Sequence, residues 1–553
     1  MAGKNIVLCS DGTGNMDIKA RGTNVFKLYE AVDIQGHKLN PMHRPQVAFY
    51  DDGVGTSGLL PLKLLGGAFG WGFTQNVKDL YLELAHVYQP GDRLYLFGFS
   101  RGAYTVRALC GLIEYCGILD IAGLDAAGRR NRIDRCWNVF RTEAFQRVTK
   151  QQRQKGQPTK EDGQKDQAQR KNLGAVMHPT HAPDGAIPIE FLGVWDTVGA
   201  VGAPFDELRD LLNWLYPMRF TELTPSCHIK RACHALSIDD ERRTFRPELW
   251  NEEDVGNTKV DQVWFTGVHS NVGGGYSKHG LSLVTLDWMM AESEKCGLRF
   301  IESDRVYVRT HQDVHGKLYD SRAGLGVYYR WEPRDIATLC REHHAGVPKI
   351  HISLFERIAN GTDAYAPGNI PYESQIITTN GTVKWPSPDV PGQLAQQMAQ
   401  LRPIPPSGSA VHSPLDTAQS LVKSGKMSYY VFIVCSLLVM GCLYRTPSWS
   451  MYPLTIAGWQ LPPQSCAVMT LLLVMAGVFG WAVTVDKALA TLYQNVWKAQ
   501  RAGLREMLEE TKNREPVVSA PAVTMRTSTR ILTAHLYPQV PGVNQKCAYG
   551  ETE

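Results

Sequence analysis

Short apolar runs of strand length alternate with helical stretches over the first hundred residues of this chain. Residues 6–10, 46–50 and 93–97 are three such runs. Between the second and the third, residues 73–88 repeat apolar side chains at helical spacing, and Pro90-Gly91 ends that pattern. The alternation predicts an α/β fold of the α/β-hydrolase-like kind, in which helices flank a mainly parallel sheet.

A first domain is expected to cover residues 1–364. Strand-like apolar runs resume at residues 187–194 and 260–265, and a helical pattern follows at 281–296. Residues 146–172, approximately, contain almost no apolar side chain and are too polar to join a core. We interpret them as a surface insertion, and a solvated loop is favoured over contact with acidic lipid headgroups.

Composition and charge exclude several classes of protein. The net charge of +4 is small for 553 residues, so nucleic acid is not an expected partner. The 12 cysteines form no CxxC pair, which disfavours a disulfide framework. Cys227-His228 and Cys233-His234 match no zinc spacing, and ordinary packing is preferred over a metal clip. We therefore expect no metal and no cofactor, and no cleaved signal peptide is visible.

Two apolar runs without charged residues lie at 427–444 and 466–485. Each approaches the roughly twenty residues that cross a bilayer as a helix. They predict a two-pass transmembrane hairpin over residues 427–485. Lysines precede and follow the hairpin, whereas the joining segment holds one charge, so the first domain should lie in the cytoplasm. The alternative is a pair of buried helices in a large soluble domain.

The remaining C-terminal segments differ in composition. Residues 365–426 are rich in proline and polar residues and predict a linker, or a segment that wraps the first domain. Residues 486–512 are expected to form a helix, and residues 513–553 a disordered tail. None of these segments suggests a second core.

The sharpest local signal is an apolar strand that runs into Gly98-Phe99-Ser100-Arg101-Gly102 and then into a helical pattern. In a nucleophile elbow, the serine occupies a strained turn, and the residues two before and two after it must be small where strand and helix approach each other. Gly98 and Gly102 meet that requirement. Ser100 is therefore the candidate nucleophile.

A serine hydroxyl needs a histidine to accept its proton and a carboxylate to orient that histidine. Asp196 follows the apolar run 191–195, and His269 follows the apolar run 260–265 and precedes three glycines. Taken singly, Asp196 could cap a helix, and His269 could bind a buried carbonyl. Their order along the chain, Ser100, Asp196, His269, is that of α/β-hydrolases.

The loop after the first strand, residues 11–15, is rich in glycine. The amides of Gly12 or Thr13, together with that of Arg101 at the start of the helix, are the predicted donors of an oxyanion hole. Asp11 is also weighed as a phosphatase nucleophile. That reading is disfavoured, because a second aspartate two residues away is missing.

Four further charged residues are candidates for substrate binding. Asp11 and Asp52 follow the first and second strands, where ligands gather in such folds. Arg242 and Arg243 end the run 237–243 and suit an anionic headgroup. A structural turn with internal ion pairs is the favoured alternative for that run.

Together, four motifs resemble the bacterial and fungal α/β-hydrolase family that includes type VI secretion phospholipase effectors. They are DGTGN at 11–15, GFSRGAY at 98–104, GVWDTV at 193–198 and GVHSNVGGGY at 267–276, within a resemblance over residues 4–296. The resemblance implies a phospholipase or related lipid acyl-ester hydrolase, with Ser100, Asp196 and His269 as its triad. This chain departs from the family at Asn271, where an aspartate is usual.

The function expected from this combination is a membrane-associated serine esterase that cleaves lipid esters through an acyl-enzyme intermediate. The alternatives are a non-lipid esterase or thioesterase, and a catalytically silent membrane-bound adaptor with a hydrolase fold. The lipid substrate is the expected partner. If the protein is instead a secreted effector that acts on a target-cell membrane, a secretion apparatus and an immunity protein are further partners.

Overall fold

The computed structural model describes residues 3–12, 22–53, 67–153, 189–199, 228–253, 258–371, 374–378, 381–385, 414–444, 454–456, 459–461, 463–513 and 543–546. The strands within these residues are β1 Asn5–Ser10, β2 Gln46–Asp51, β3 Arg93–Phe99, β4 Ile189–Trp195, β5 Arg231–Ser237, β6 Lys259–Phe265, β7 Lys349–His351, β8 Ser374–Thr378, β9 Gly381–Trp385, β10 Leu454–Ile456, β11 Trp459–Leu461 and β12 Val543–Lys546.

Ten of these strands form one sheet in the order β12-β2-β1-β3-β4-β5-β6-β7-β8-β9. The eight strands from β2 to β8 pair in parallel, and β12 and β9 add antiparallel edges. Central strands such as β1 and β4 are buried along their whole length, which explains their continuous apolar runs. The predicted α/β fold with a mainly parallel sheet is confirmed.

The helices are α1 Asn24–Ala31, α2 Gly36–Leu39, α3 Gly67–Val87, α4 Arg101–Cys116, α5 Ala126–Arg153, α6 His269–Gly273, α7 Gly280–Glu294, α8 Glu302–His311, α9 Ile336–Glu342, α10 Ile352–Asn360, α11 Pro414–Tyr444 and α12 Pro463–Asn513. Most of them cover the two faces of the sheet. Such coverage is what a parallel sheet requires, because neither of its faces can meet water.

Two cores lie on opposite faces of the sheet. Successive side chains of β1 point to opposite faces, so Ile6 and Leu8 pack with α3, α4 and α5, while Val7 and Cys9 pack with α1 and α7. Full burial of a side chain such as Leu8 stabilises the fold by about 1.5–3 kcal/mol relative to exposure. The cores hold the carboxyl ends of β1, β3, β4 and β6 at one edge.

The structure differs from the predicted linker and tail. Strands β8 and β9 lie inside residues 365–426 and extend the sheet, and α11 begins within the same segment at Pro414. Residues 543–546 of the predicted disordered tail pair with β2. Of the predicted polar insertion, residues 146–153 continue α5, and the rest lies outside the described residues.

Helices α11 and α12 pack along each other as two long apolar helices. Residues 420–444 and 467–511 are long and apolar enough to cross a membrane by length and composition, and few of their side chains are buried. Helix α12 has 51 residues, so it continues without a break through the separate helix predicted for residues 486–512. Its distal part packs on the first domain, where the Arg501 guanidinium donates to the Ile358 carbonyl at 3.2 Å.

Candidate active site

Ser100 occupies the turn between β3 and α4. Its backbone has φ 58° and ψ −122°, a strained conformation for a residue with a side chain. A Cβ on Gly98 would lie 2.5 Å from the Gly102 carbonyl oxygen, and a Cβ on Gly102 would lie 2.2 Å from that of Ser10. Only glycine fits at both positions, so the sharp turn depends on the two residues that the sequence singled out.

The structure brings Ser100, His269 and Asp196 into contact, although the serine and the histidine are 169 positions apart in the sequence. The Ser100 hydroxyl lies 2.8 Å from His269 Nε2. On the other side of the ring, His269 Nδ1 lies 2.6 Å from Asp196 Oδ2. An ionised carboxylate only accepts hydrogen bonds, so Nδ1 carries the proton and Nε2 is left to accept one from the serine.

Asp196 lies at the end of β4 with no exposed side-chain surface. Its Oδ1 accepts hydrogen bonds from the Ser237 amide at 3.0 Å and from Arg334 Nη1 at 2.6 Å. Arg334 Nη2 donates to Oδ2 at 2.9 Å. Burial opposes ionisation, but Arg334 and His269 outweigh it and hold the Asp196 pKa well below its usual range. The carboxylate is therefore charged throughout the neutral range.

His269 is the first residue of α6, and its own amide donates to Asp240 Oδ2 at 3.1 Å. Its ring lies between Phe99 and Phe245, with centroid distances of 4.6 and 5.1 Å. Burial lowers the His269 pKa, and Asp196 only partly opposes that effect. The imidazole is thus neutral and able to accept a proton at neutral pH.

The predicted oxyanion donors are placed unevenly. Gly12 lies beside the nucleophile, because a Cβ built on it would be 3.1 Å from Ser100 Cβ. Its amide, however, donates to Asp11 Oδ1 at 2.7 Å. Arg101 follows Ser100 at the first position of α4, whose N-terminal end favours negative charge. Thr13 lies outside the described residues.

Asp11 is buried next to Gly12, and its Oδ2 accepts hydrogen bonds from the Thr23 hydroxyl and, at 2.7 Å, from the Tyr50 hydroxyl. Burial raises the Asp11 pKa to about 6. Asp52 is exposed after the end of β2, whereas its neighbour Asp51 is buried and accepts a bond from Ser10. Asp11 therefore touches the loop beside the nucleophile, whereas no hydrogen bond joins the Asp52 side chain to that loop within the described residues.

Both arginines of the predicted headgroup site form ion pairs within the protein. Arg242 Nη2 lies 2.7 Å from Asp240 Oδ2, and its guanidinium stacks 3.5 Å above the Phe245 ring. Asp240 thus links Arg242 to His269, because it also accepts a hydrogen bond from the His269 amide. Arg243 pairs with Glu332 at 3.0 Å. These ion pairs are of the kind that the structural alternative for this run expects.

The second cysteine and histidine pair considered as a metal site lies in β5, and both of its side chains are buried. His234 Nε2 accepts from the Thr197 amide at 3.1 Å, and Cys233 is buried in β5. In the described parts of the chain, no three His, Cys, Asp or Glu side chains are grouped to hold a metal ion. Cys227 lies outside those parts.

Sequence reasoning missed two groups that hold the site together, Arg334 and Asp240. Arg334 lies in an irregular segment before α9, and Asp240 lies three residues after the end of β5 in a charged run. Asn271 accepts from the Tyr319 amide at 3.2 Å and donates to the Lys317 carbonyl at 3.1 Å. An amide both donates and accepts, so asparagine serves this bridging role directly.

Comparison with known proteins identifies the family. The model of the family described as "T6SS, Phospholipase effector Tle1-like, catalytic domain" matches residues 4–292. The chain belongs to this family. The matched region contains Ser100, Asp196 and His269, and it ends before Arg334 and the apolar hairpin.

Two individual proteins are also similar. An uncharacterised protein of Saccharomyces cerevisiae is 27% identical over 259 residues, which are 44% of this chain and 32% of that protein. The chain thus spans about a third of the length of that relative. A crystal structure of an uncharacterised protein from Pseudomonas aeruginosa aligns with 93% of this chain and 68% of its own, at 15% identity. Its TM-score of 0.30 supports no argument about this chain.

Proposed function

We propose that this protein is a phospholipase that hydrolyses carboxylic ester bonds of membrane lipids through an acyl-enzyme on Ser100. The observation that carries the proposal is the unbroken chain of contacts from the Ser100 hydroxyl through His269 to Asp196, at 2.8 and 2.6 Å. Membership of a phospholipase effector family supports the choice of a lipid ester as substrate.

In the proposed mechanism, Ser100 Oγ attacks the ester carbonyl while His269 Nε2 takes its proton. The Arg101 amide donates to the developing oxyanion. The Gly12 amide joins it once it turns away from Asp11. The imidazolium then protonates the leaving alcohol, and the acyl group stays on Ser100. Water activated by His269 releases the fatty acid and restores the serine.

The same proposal places the apolar hairpin in a bilayer. Large apolar side chains on both helices are exposed, for example Leu437 at 58% and Leu473 at 71%. Lys423 and Lys426 lie before the first apolar run, and Lys487 lies after the second, which favours a cytoplasmic catalytic domain. Anchoring raises the local concentration of lipid substrate at the site.

A second localisation is supported by the T6SS effector family. In that case the protein is secreted and its hairpin enters the membrane of a target cell, with a secretion apparatus and an immunity protein as partners. Protease access to the N-terminal domain in fractionated producing cells separates the two. A resident enzyme stays in the membrane pellet with that domain shielded, and a secreted effector leaves the cell.

Fatty-acid release from phosphatidylethanolamine and phosphatidylglycerol vesicles by the purified full chain tests the activity. Turnover is expected for the wild type and for Ser293→Ala, which removes a buried hydroxyl bonded to the Met290 carbonyl of α7. Ser100→Ala should abolish it. Equal turnover by Ser100→Ala contradicts the proposal. Turnover of water-soluble esters alone favours the non-lipid esterase, and no turnover with no labelling of Ser100 favours the adaptor.

A further inference from the structure

Arg334 has a side chain that is 3% exposed and makes four hydrogen bonds at the site. Two go to the Asp196 carboxylate oxygens, at 2.6 and 2.9 Å. Two more go to the backbone carbonyls of Ser237 and Phe245, each at 2.6 Å. The guanidinium group is therefore held by the carboxylate and by two backbone carbonyls. It binds the carboxylate in the bidentate geometry that only arginine offers.

This contact decides how Asp196 faces the histidine. Oδ2 is shared between His269 Nδ1, Arg334 Nη2 and the Ser237 hydroxyl, which donates at 3.2 Å, while Oδ1 is held by Arg334 Nη1 and by the Ser237 amide. Asp196 has a positive backbone φ of 38°, and its buried side chain is held in this direction by these hydrogen bonds. Without Arg334, a buried carboxylate would lose its strongest compensating charge.

Arg334 is itself held by the segment 329–334, which no regular helix or strand contains. Tyr329 packs against Phe245 with ring centroids 5.6 Å apart. The Glu332 amide donates to the Glu241 carbonyl at 2.8 Å, and the Asn369 side chain donates to the Arg334 carbonyl at 3.1 Å. The arginine therefore enters the site from a fixed backbone.

We propose that Arg334 is a positioning residue of the active site, which acts through Asp196 and does not touch the substrate. It keeps that carboxylate in the orientation in which it aligns His269 with Ser100. This inference rests on the proposed function, since it assigns Asp196 its part in hydrolysis. Arg334 lies outside the family match, so the role belongs to the part of the chain beyond residue 292.

The test measures kcat and KM for Arg334→Met and Arg334→Lys in the full chain. We expect kcat to fall about 10- to 100-fold in Arg334→Met, the usual loss when a group that orients a functional ligand is removed. KM should stay within about twofold of wild type, because the arginine does not touch the substrate. Arg334→Lys keeps the positive charge but cannot donate two parallel hydrogen bonds to the carboxylate. Its kcat should lie between those of the wild type and Arg334→Met.

A double-mutant cycle separates positioning from folding. In the Asp196→Asn background, Arg334→Met should lower kcat by less than about threefold, because the group through which it acts is already lost. The matched control is Arg305→Met. That arginine is equally buried, pairs with Asp287 and Glu294, and lies on α8, outside the hydrogen-bond network of the site. Its kcat per folded molecule should not change.

Two results overturn the inference. One is an Arg334→Met protein that folds and keeps wild-type kcat. The other is an Arg334→Met substitution that lowers kcat by the same factor in the wild-type and the Asp196→Asn backgrounds. If Arg334→Met does not fold, the decision falls to Arg334→Lys, whose wild-type kcat would overturn the inference in the same way. A wild type without ester turnover would instead contradict the proposed function, so the two failures are distinct.

Discussion

The carboxyl ends of the parallel strands, where the candidate active site lies, and the apolar hairpin differ in which side chains they bury. At the carboxyl ends of the strands, charged groups are buried, and Asp196 lies between Arg334 and His269. On the hairpin, apolar side chains such as Leu437 and Leu473 are exposed. Hydrogen bonds and ion pairs within the protein offset much of the cost of burying the charges of the first region. An exposed apolar surface such as that of the second is typical of contact with a membrane or with another protein.

The two regions meet at a joint of ion pairs. Lys426 of α11 lies 2.6 Å from Glu332, and Asp486 of α12 lies 3.0 Å from Arg322. The same joint encloses a cavity of about 60 Å³ lined by Trp331, Phe432 and Val478, among others. The segment that supplies Glu332 also supplies Arg334, so the hairpin and the buried site share one piece of backbone.

The largest predicted effect breaks the buried region. Asp196→Asn keeps the size of the side chain but removes the charge that stabilises the imidazolium, so kcat should fall by about 10⁴-fold. The control is Asp261→Asn, a similarly arginine-paired aspartate on β6, which pairs with Arg231 at 2.6 Å. Steady-state kinetics on vesicles measures both. A loss below about tenfold in Asp196→Asn would remove that residue from the proposed mechanism.

The next prediction breaks the exposed region. Val434→Arg and Leu473→Arg place charges near the middle of the two apolar runs, at a cost of about 3 kcal/mol each for insertion into a bilayer. The combined variant should leave the membrane fraction after alkaline extraction. Leu39→Arg, on a side chain that is 90% exposed on α2, is the control and should not alter membrane retention. Equal retention of both proteins would contradict a bilayer-spanning hairpin.

A smaller effect sharpens the account of the strained turn. Gly102→Ala places a methyl group 2.2 Å from the Ser10 carbonyl oxygen, so the strand and the helix must move apart. We expect the free energy of unfolding to fall by about 1–3 kcal/mol. Gly477→Ala on the hairpin meets nothing within 4 Å and serves as the control. Thermal unfolding followed by tryptophan fluorescence compares them, and equal midpoints would contradict this packing argument.

The smallest predicted effect concerns pH. A general base must be neutral, and burial lowers the His269 pKa, so the neutral form persists to lower pH than in an ordinary histidine. Activity is then lost only as pH falls below about 6.5, the usual histidine value. Asp196 remains ionised over that range because its pKa is held far lower. An acid limb of kcat/KM above that value would contradict the burial argument.

The sequence predicts the parts of the site that follow apolar strands. Ser100, Asp196 and His269 each come at or just beyond the end of a buried run, and parallel strands bring such ends to one edge. The structure places these three side chains in contact, and their catalytic roles stay predictions. Arg334 had no such signal. It lies in an irregular segment 65 residues after His269, and the charged residues around it indicate an exposed surface loop.

The sequence did not predict β8 and β9, and the reason differs from that for Arg334. In β8 the buried residues Ser374, Ile376 and Thr378 alternate with half-buried ones, and two of these three are polar. Edge pairing depends on backbone hydrogen bonds, which leave little trace in side-chain composition. The proline-rich surroundings of β8 and β9 therefore predict a linker, although both strands extend the sheet.

Covalent labelling of the folded full chain by a fluorophosphonate, with the adduct located by peptide mass spectrometry, tests most directly whether the buried histidine activates the serine. The account predicts one rapid adduct on Ser100 and its loss in His269→Ala. Labelling at the same rate in His269→Ala, or no adduct on Ser100 in the wild type, would contradict it.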